Sequence, residues 1–176
     1  MNERLKFTLK AWPVITLVTV GLCVLTGAAA KTFLGIDLED QTSIDQARAV
    51  LLWFARRISD GAGWNMAFFK DVGRFLWFLA FLVALVPAAE ELIFRWGLWS
   101  LPRPARPVVS AVTSSALFSA AHYISMPWPN NAFIALFFFG LAQCWLYRRT
   151  GALWCAMLNH GLFNATNIVL ILVFKT

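Results

Sequence analysis

A short acidic motif at the end of a long apolar run is the first part of the chain that could carry out chemistry. From Phe75 to Ala89 the chain is almost wholly apolar, and Glu90, Glu91 and Arg95 follow. Ionisable groups at membrane depth are costly, and by default they mark a functional site. Glu91 and Arg95 are four residues apart with the acid first, which favours an ion pair along a helix. Because adjacent helical residues point about 100° apart, Glu90 faces another direction and has no local partner.

Both histidines of the chain lie in later apolar stretches. Phe118 and His122 are four residues apart in one stretch, and His160 and Asn164 are four apart in another. At about 1.5 Å per helical residue, Glu90 lies roughly 15 Å, His122 roughly 20 Å, His160 roughly 12 Å and Asn164 roughly 18 Å from the cytoplasmic ends of their spans. All four depths fall in the middle of a hydrocarbon layer about 30 Å thick. Any one of these residues alone is better explained as a polar link between helices, but together they predict a site.

These residue types suit the hydrolysis of an amide bond. The reaction needs a base that activates water and donors that stabilise the tetrahedral oxyanion. A serine mechanism is not favoured, because no aspartate lies at this depth. A zinc site made by Glu90, His122 and His160 stays open, although the usual His-Glu-x-x-His helix is absent. Two non-enzymatic functions also stay open: a membrane protein that binds a peptide or confers bacteriocin immunity, and a proton path.

The composition predicts an integral membrane protein. The chain has 176 residues, of which 60% are hydrophobic and 14% charged, whereas soluble domains are about 45–50% apolar and about 25% charged. The net charge of +6 comes mainly from basic residues beside apolar runs, so membrane orientation explains it better than a nucleic-acid partner. The three cysteines lie inside apolar runs and are interpreted as packing residues. We therefore expect an all-α, polytopic transmembrane bundle forming a single membrane domain over residues 1–176.

The apolar runs predict about five membrane spans and one amphipathic helix. The spans are roughly 12–30, 72–99, 108–123, 132–147 and 152–174. Between the first two, apolar residues recur at helical spacing (Ile44, Ala47, Leu51, Phe54, Ile58), which predicts a helix at the membrane interface or an ordinary connecting helix. The first run also has features of a secretory signal peptide, but its length favours a span. Residues 1–71 thus hold the first span and the amphipathic segment, and residues 72–174 hold the catalytic core.

The distribution of basic residues predicts the orientation of the chain. The amino terminus and the segments 100–107 and 148–149 are basic and fall on one side if there are five spans, whereas the segment 124–131 carries no charge. This pattern places the amino terminus in the cytoplasm. The segment 31–71 carries bases and acids together and weakens the pattern. The small size of the chain suggests a bacterial plasma membrane.

Three motifs in order give the chain a resemblance to a known family. Glu-Glu-x-x-x-Arg at Glu90, Phe-x-x-x-His at Phe118 and His-x-x-x-Asn at His160 resemble the motifs of the CPBP intramembrane proteases, the CAAX protease and bacteriocin-processing group that includes the Rce1-type prenyl-protein endopeptidases. The resemblance covers roughly residues 72–170. It implies an all-helical membrane fold that cleaves peptide bonds inside the bilayer.

The resemblance also implies a role for each motif residue. Glu90 would be the general base, and His122 would help to bind and polarise the water. His160 and Asn164 would donate hydrogen bonds to the oxyanion, while the Glu91–Arg95 pair would support the Glu90 helix. No cofactor is expected unless the zinc hypothesis holds.

The substrate implied by the resemblance is a peptide or protein with a hydrophobic or lipidated tail, reached through the membrane lipids. Three kinds fit: a prenylated carboxyl-terminal tail, a leader peptide or bacteriocin, and a hydrophobic sorting tail. Because the chain looks bacterial, leader-peptide or sorting-tail processing is the favoured interpretation.

Overall fold

The computed structural model describes residues 2–34, 49, 52–53, 56, 66–98, 107–122 and 132–174, and these contain no β-strand. Apolar composition within a membrane leaves the helix as the structure that satisfies every backbone group inside its own segment. The all-α prediction is confirmed for this part of the chain. The helices used below are α1 (Glu3–Ala29), α2 (Met66–Ala80), α3 (Val86–Glu91), α4 (Pro107–Ala121), α5 (Ala132–Thr150) and α6 (Leu153–Phe174).

The helix that carries the acidic motif is widened twice into π-helix. The π-helical segment Phe81–Leu85 separates α2 from α3, and Leu92–Leu98 follows α3, so that residues 66–98 form one continuous helical stretch. The Val86 N–H bonds to the Phe81 carbonyl, five residues back. Such π-helical turns are frequent at functional sites. The acidic motif therefore lies on a short α-helical segment between two irregular ones.

Helix α4 packs closely on α5 through small residues. The serines of α4 are buried, and a Cβ atom on Gly140 of α5 would lie 2.9 Å from the Ser115 Cβ. The Ser114 hydroxyl donates a hydrogen bond to the Phe94 carbonyl at 2.5 Å, which attaches α4 to the second π-helical segment. This is the close packing that small residues permit in membranes, and it brings the end of α4 towards α3.

Helix α6 completes the frame around the acidic motif. It packs against the segment Phe81–Leu85 and against α3, while α1 packs across α5 and α6. Gly151, with φ of +62°, lies between α5 and α6, and its N–H bonds to the Tyr147 carbonyl at 2.8 Å. This glycine ending of a helix turns the chain back so that α6 returns along α5.

Two helical stretches of the described chain are long and apolar enough to cross a membrane. They are Glu3–Phe33 and Phe69–Leu98, and Pro107–Ala121 is a shorter apolar helix. They coincide with the first three predicted spans. The predicted fourth and fifth spans form α5 and α6, and the total of five crossings stays a prediction. The five apolar positions of the predicted amphipathic helix lie outside the described residues, and the single-domain assignment stays a prediction.

Candidate active site

Glu90, His122 and His160 meet, although they come from three different helices. The Glu90 Oε1 atom is 3.7 Å from His122 Nε2, and Glu90 Oε2 is 3.5 Å from His160 Nε2. Glu90 is at the end of α3, His122 directly follows α4, and His160 is in the first half of α6. The Glu90 side chain is 23% exposed and that of His160 only 4%. One carboxylate thus faces two imidazoles at the edge of the buried core.

The end of α4 determines which nitrogen of His122 faces Glu90. The His122 Nδ1 atom is 2.9 Å from the Phe118 carbonyl oxygen, one turn earlier. That carbonyl belongs to the last turn of the helix, where carbonyls lack intrahelical donors. Because a carbonyl oxygen can only accept, Nδ1 must carry the proton, and Nε2 of the neutral ring then presents a lone pair towards Glu90.

The second carboxylate of the motif holds His160 in a similar way. The His160 Nδ1 atom is 2.9 Å from Glu91 Oε1, and Glu91 Oε2 is 3.1 Å from Arg95 Nε. Arginine is always charged, so Glu91 is the anion of an ion pair and accepts the Nδ1 proton of His160. A carboxylate that fixes one histidine nitrogen orients the other nitrogen towards the reacting atoms, as in catalytic triads.

The ion pair is itself completely buried. The side chains of Glu91 and Arg95 have no exposed surface. Arg95 Nη2 donates to the Gly140 carbonyl at 3.3 Å, and the guanidinium lies 4.5 Å from the centre of the Phe118 ring. The structure thus contains the predicted i,i+4 pair. It also shows a role that the spacing could not reveal, because Glu91 reaches His160 across 69 residues of sequence.

Asn164, the fourth predicted site residue, binds backbone at the first π-helical segment. Its Nδ2 atom donates a hydrogen bond to the Leu82 carbonyl at 2.9 Å. In π-helical register the donor to that carbonyl would be the N–H of residue 87, and Pro87 has none. Asn164 therefore supplies the donor that Pro87 lacks, and its amide retains a second N–H.

Gly161 is a positioning residue that sequence reasoning missed. An added Cβ atom would lie 2.3 Å from the Val83 carbonyl oxygen, so only glycine allows α6 to approach the π-helical segment this closely. The available signals were a proline three residues before Glu90 and a glycine directly after His160. The sequence does not show which residues of α6 and of the segment Phe81–Leu85 lie opposite each other, so the role of Gly161 could not be predicted.

Aromatic rings cover the buried side of the site. The Phe118 ring centre lies 4.7 Å from that of His122 and 5.8 Å from that of His160, and the Phe139 centre lies 5.0 Å from that of His160. Both phenylalanines are completely buried. A water-excluded wall strengthens the electrostatic interactions within the site.

A buried amide pair joins α5 to α6 beside the site and was also missed. Gln143 Nε2 donates to Asn159 Oδ1 at 3.0 Å, and neither side chain has exposed surface. Hydrogen bonds of this kind link membrane helices. The signal in the sequence was an asparagine directly before His160 and a lone glutamine in an apolar helix.

The three facing side chains are also those of the predicted zinc site. Among the described residues, no group of three or more His, Cys, Asp or Glu side chains is arranged to hold a metal ion. The two histidines nevertheless have the hydrogen-bonding pattern of zinc ligands, since each has its Nδ1 held by an oxygen acceptor and its Nε2 turned to the site.

A comparison with protein families gives a match. The model described as Rce1-like, type II CAAX prenyl endopeptidase, matches residues 72–166, which is more than half of the chain and includes all three motifs. No curated protein and no solved structure matches the chain. The resemblance predicted from the motifs is therefore confirmed by the family match.

Proposed function

The chain belongs to the Rce1-like family of type II CAAX prenyl endopeptidases, and from that premise we propose that it is an intramembrane glutamic endopeptidase centred on Glu90. The family is a membrane-embedded protease family, which supports hydrolase activity. The observation that carries the finer proposal is the pair of Nε2 atoms that face the Glu90 carboxylate at 3.7 Å and 3.5 Å. The imidazole rings of His122 and His160 are both held at Nδ1, so their Nε2 atoms are both directed towards the Glu90 carboxylate.

The hydrogen-bonding capacity of Glu90 and His122 supports a water molecule between their side chains. The ionised carboxylate and the unprotonated Nε2 atom are both acceptors, and two acceptors cannot bond to each other directly. A water molecule can donate one O–H to each of them. Glu90 would then take a proton from that water as the general base, while His122 orients it.

The reaction follows from this arrangement. The water oxygen attacks the carbonyl carbon of the substrate as its proton passes to Glu90, which creates a tetrahedral oxyanion. Glu90 then gives the proton to the amide nitrogen of the substrate. The C–N bond breaks, and the products are a carboxylic acid and an amine.

The oxyanion would be stabilised by His160 and Asn164. Because the Nδ1 proton of His160 is donated to Glu91, donation to the oxyanion from Nε2 would require a proton on each ring nitrogen. The second N–H of the Asn164 amide would be the other donor. Removing one such donor typically lowers turnover about 10²–10³-fold.

For the substrate we propose a peptide or protein whose hydrophobic or lipidated tail reaches the site through the membrane lipids. Cleavage would fall near its carboxyl terminus or after a leader. The description of the family names prenyl endopeptidases. For this chain, leader-peptide or sorting-tail processing in a bacterial plasma membrane, with a cytoplasmic amino terminus, is the proposed activity.

The test is a cleavage assay in liposomes with quenched peptides that carry prenylated tails, sorting tails or leaders. Wild type should cleave at least one class, and mass spectrometry should identify the bond that breaks. His122→Ala should lose about 10²–10⁴-fold in rate, the usual contribution of acid–base groups. If no class is cleaved, and the His122→Ala and Glu90→Gln variants still function in cells, the chain is a non-catalytic peptide-binding or immunity protein.

A zinc-dependent peptidase is the second candidate, and the histidine geometry favours it over a proton path or a non-catalytic binding protein. Glu90, His122 and His160 would hold the ion, which would supply an activated water and polarise the substrate carbonyl. Glu91 and the Phe118 carbonyl would orient the two histidines. Loss of cleavage with a chelator and recovery with zinc would establish this candidate.

A further inference from the structure

A basic cavity that is open to the outside lies at one end of the helical bundle, between the first turns of α1 and the last turn of α5, and Arg4, Lys10 and Arg149 in its lining are exposed. Its volume is about 380 Å³, and its lining includes Arg4, Lys6, Lys10 and Arg149. Among the described residues that line it, Glu3 is the one acidic residue. The cavity shares no residue with the proposed peptidase site.

The positive charge of this cavity is mostly uncompensated. Lys6 Nζ is paired with Glu3 Oε1 at 2.6 Å. Within the described part of the chain, no carboxylate forms an ion pair with Arg4, Lys10 or Arg149. Like charges that surround one space repel each other unless an anion lies between them. Membrane orientation requires only that basic residues flank a span, and it does not require them to converge on a cavity.

The charged lining of the cavity includes the aromatic ring of Phe7, and apolar side chains lie next to it. The Phe7 ring lies 5.5 Å from that of Trp145, and the Arg149 guanidinium lies 5.7 Å from the Phe7 centre. Towards the middle of α1, Val14 and Leu17 are exposed, as expected for a surface that faces lipid. A ligand here would meet cations at its head and an apolar surface along its tail.

We propose that this cavity binds the phosphate headgroup of an anionic phospholipid. Basic pockets between membrane helices are the usual recognition sites for such headgroups. The acyl chains would lie along the exposed apolar surface of α1, and the phosphate oxygens would accept hydrogen bonds from Arg4, Lys10 and Arg149. The lipid would join α1 to α5. This inference does not depend on the peptidase proposal.

The experiment measures lipid binding by native mass spectrometry of the intact protein in detergent. The probes are phosphatidylglycerol, phosphatidylcholine and inorganic phosphate. We expect one tightly bound phosphatidylglycerol and no retained phosphatidylcholine or phosphate. The triple variant Arg4→Gln, Lys10→Gln, Arg149→Gln should bind phosphatidylglycerol about 10²-fold more weakly, because each basic residue near an anionic surface contributes about a factor of five.

Matched substitutions distinguish a specific lipid-binding site from a general attraction of anionic lipid to basic residues. Arg148 and Arg149 are adjacent on α5 and both exposed, but only Arg149 lines the cavity. The variant Arg148→Gln should bind as wild type does, whereas Arg149→Gln should bind about fivefold more weakly. Equal losses in these two variants, or unchanged binding by the triple variant, would overturn the proposal. Binding of inorganic phosphate without a preference for phosphatidylglycerol would overturn the choice of a lipid.

Discussion

Replacing Gly161 by alanine should move His160 on α6 and Glu90 on the helical stretch 66–98 apart by about 1 Å. A methyl group at this position would lie 2.3 Å from the Val83 carbonyl oxygen, whereas ordinary van der Waals contact begins at 3.4 Å. The obstacle is backbone within a packed helix, so no side-chain rotation can relieve it. Either α6 or the Phe81–Leu85 segment has to move by about the difference between those two distances.

This displacement falls on the contact between Glu90 and His160. His160 is adjacent to the substituted residue, and Glu90 follows Val83 on the same continuous helix, with only 3.5 Å between the two side chains. A misplacement of about 1 Å at a reacting centre lowers the rate about 10²-fold. We therefore expect kcat/KM for peptide cleavage to fall about 10²-fold in Gly161→Ala.

The control is Gly73→Ala, because nothing lies within 4 Å of a Cβ atom at that position. Its kcat/KM should stay within about twofold of wild type, since substitutions away from packed features change little. Thermal unfolding separates activity from stability, because overpacking typically costs about 1–3 kcal/mol and leaves the protein folded. If Gly161→Ala is folded and cleaves at the wild-type rate, the close approach of α6 to Val83 does not position the site.

Three further predictions concern the polar groups around the site. Asn164→Ala should lower the free energy of unfolding by about 1–3 kcal/mol, because the Leu82 carbonyl loses its donor; in a double-mutant cycle measured by thermal unfolding, Pro87→Ala should recover part of that loss by restoring a backbone N–H. Arg95→Met should cost about 3–5 kcal/mol, also measured by unfolding, because it leaves the buried Glu91 carboxylate without its counter-charge. Cleavage should be unchanged by a chelator, and loss of cleavage with recovery on adding zinc would favour the zinc candidate.

The parts of the site that follow from helical periodicity could be predicted from the sequence. The Glu91–Arg95 pair follows from four-residue spacing along a helix. The meeting of Glu90 with His122 and His160 follows from counting residues inward along each apolar run, because a membrane gives separate helices a common depth scale. Composition was sufficient for the all-α class.

The parts that depend on packing between helices could not be predicted. The Asn164 bond to Leu82 arises because Pro87 lies five residues after Leu82, directly beyond the π-helical segment Phe81–Leu85, and nothing in the local spacing indicates that register. The contact of Gly161 with Val83 depends on the position of α6 along the segment Phe81–Leu85. The contact of His160 with Glu91 depends on the π-helical register and on the position of α6 along its neighbour. For this reason the sequence assigned Glu91 only to its ion pair with Arg95.

The most direct test of the central claim is kcat/KM for peptide cleavage by Glu90→Gln, measured in liposomes beside wild type and Arg148→Gln. Glutamine keeps the size of the side chain and cannot take a proton from water. If Glu90 is the general base, Glu90→Gln should lose about 10²–10⁴-fold, while Arg148→Gln, which removes an exposed charge that lines neither the site nor the basic cavity, should keep wild-type activity. A Glu90→Gln variant that cleaves as fast as wild type would contradict the account.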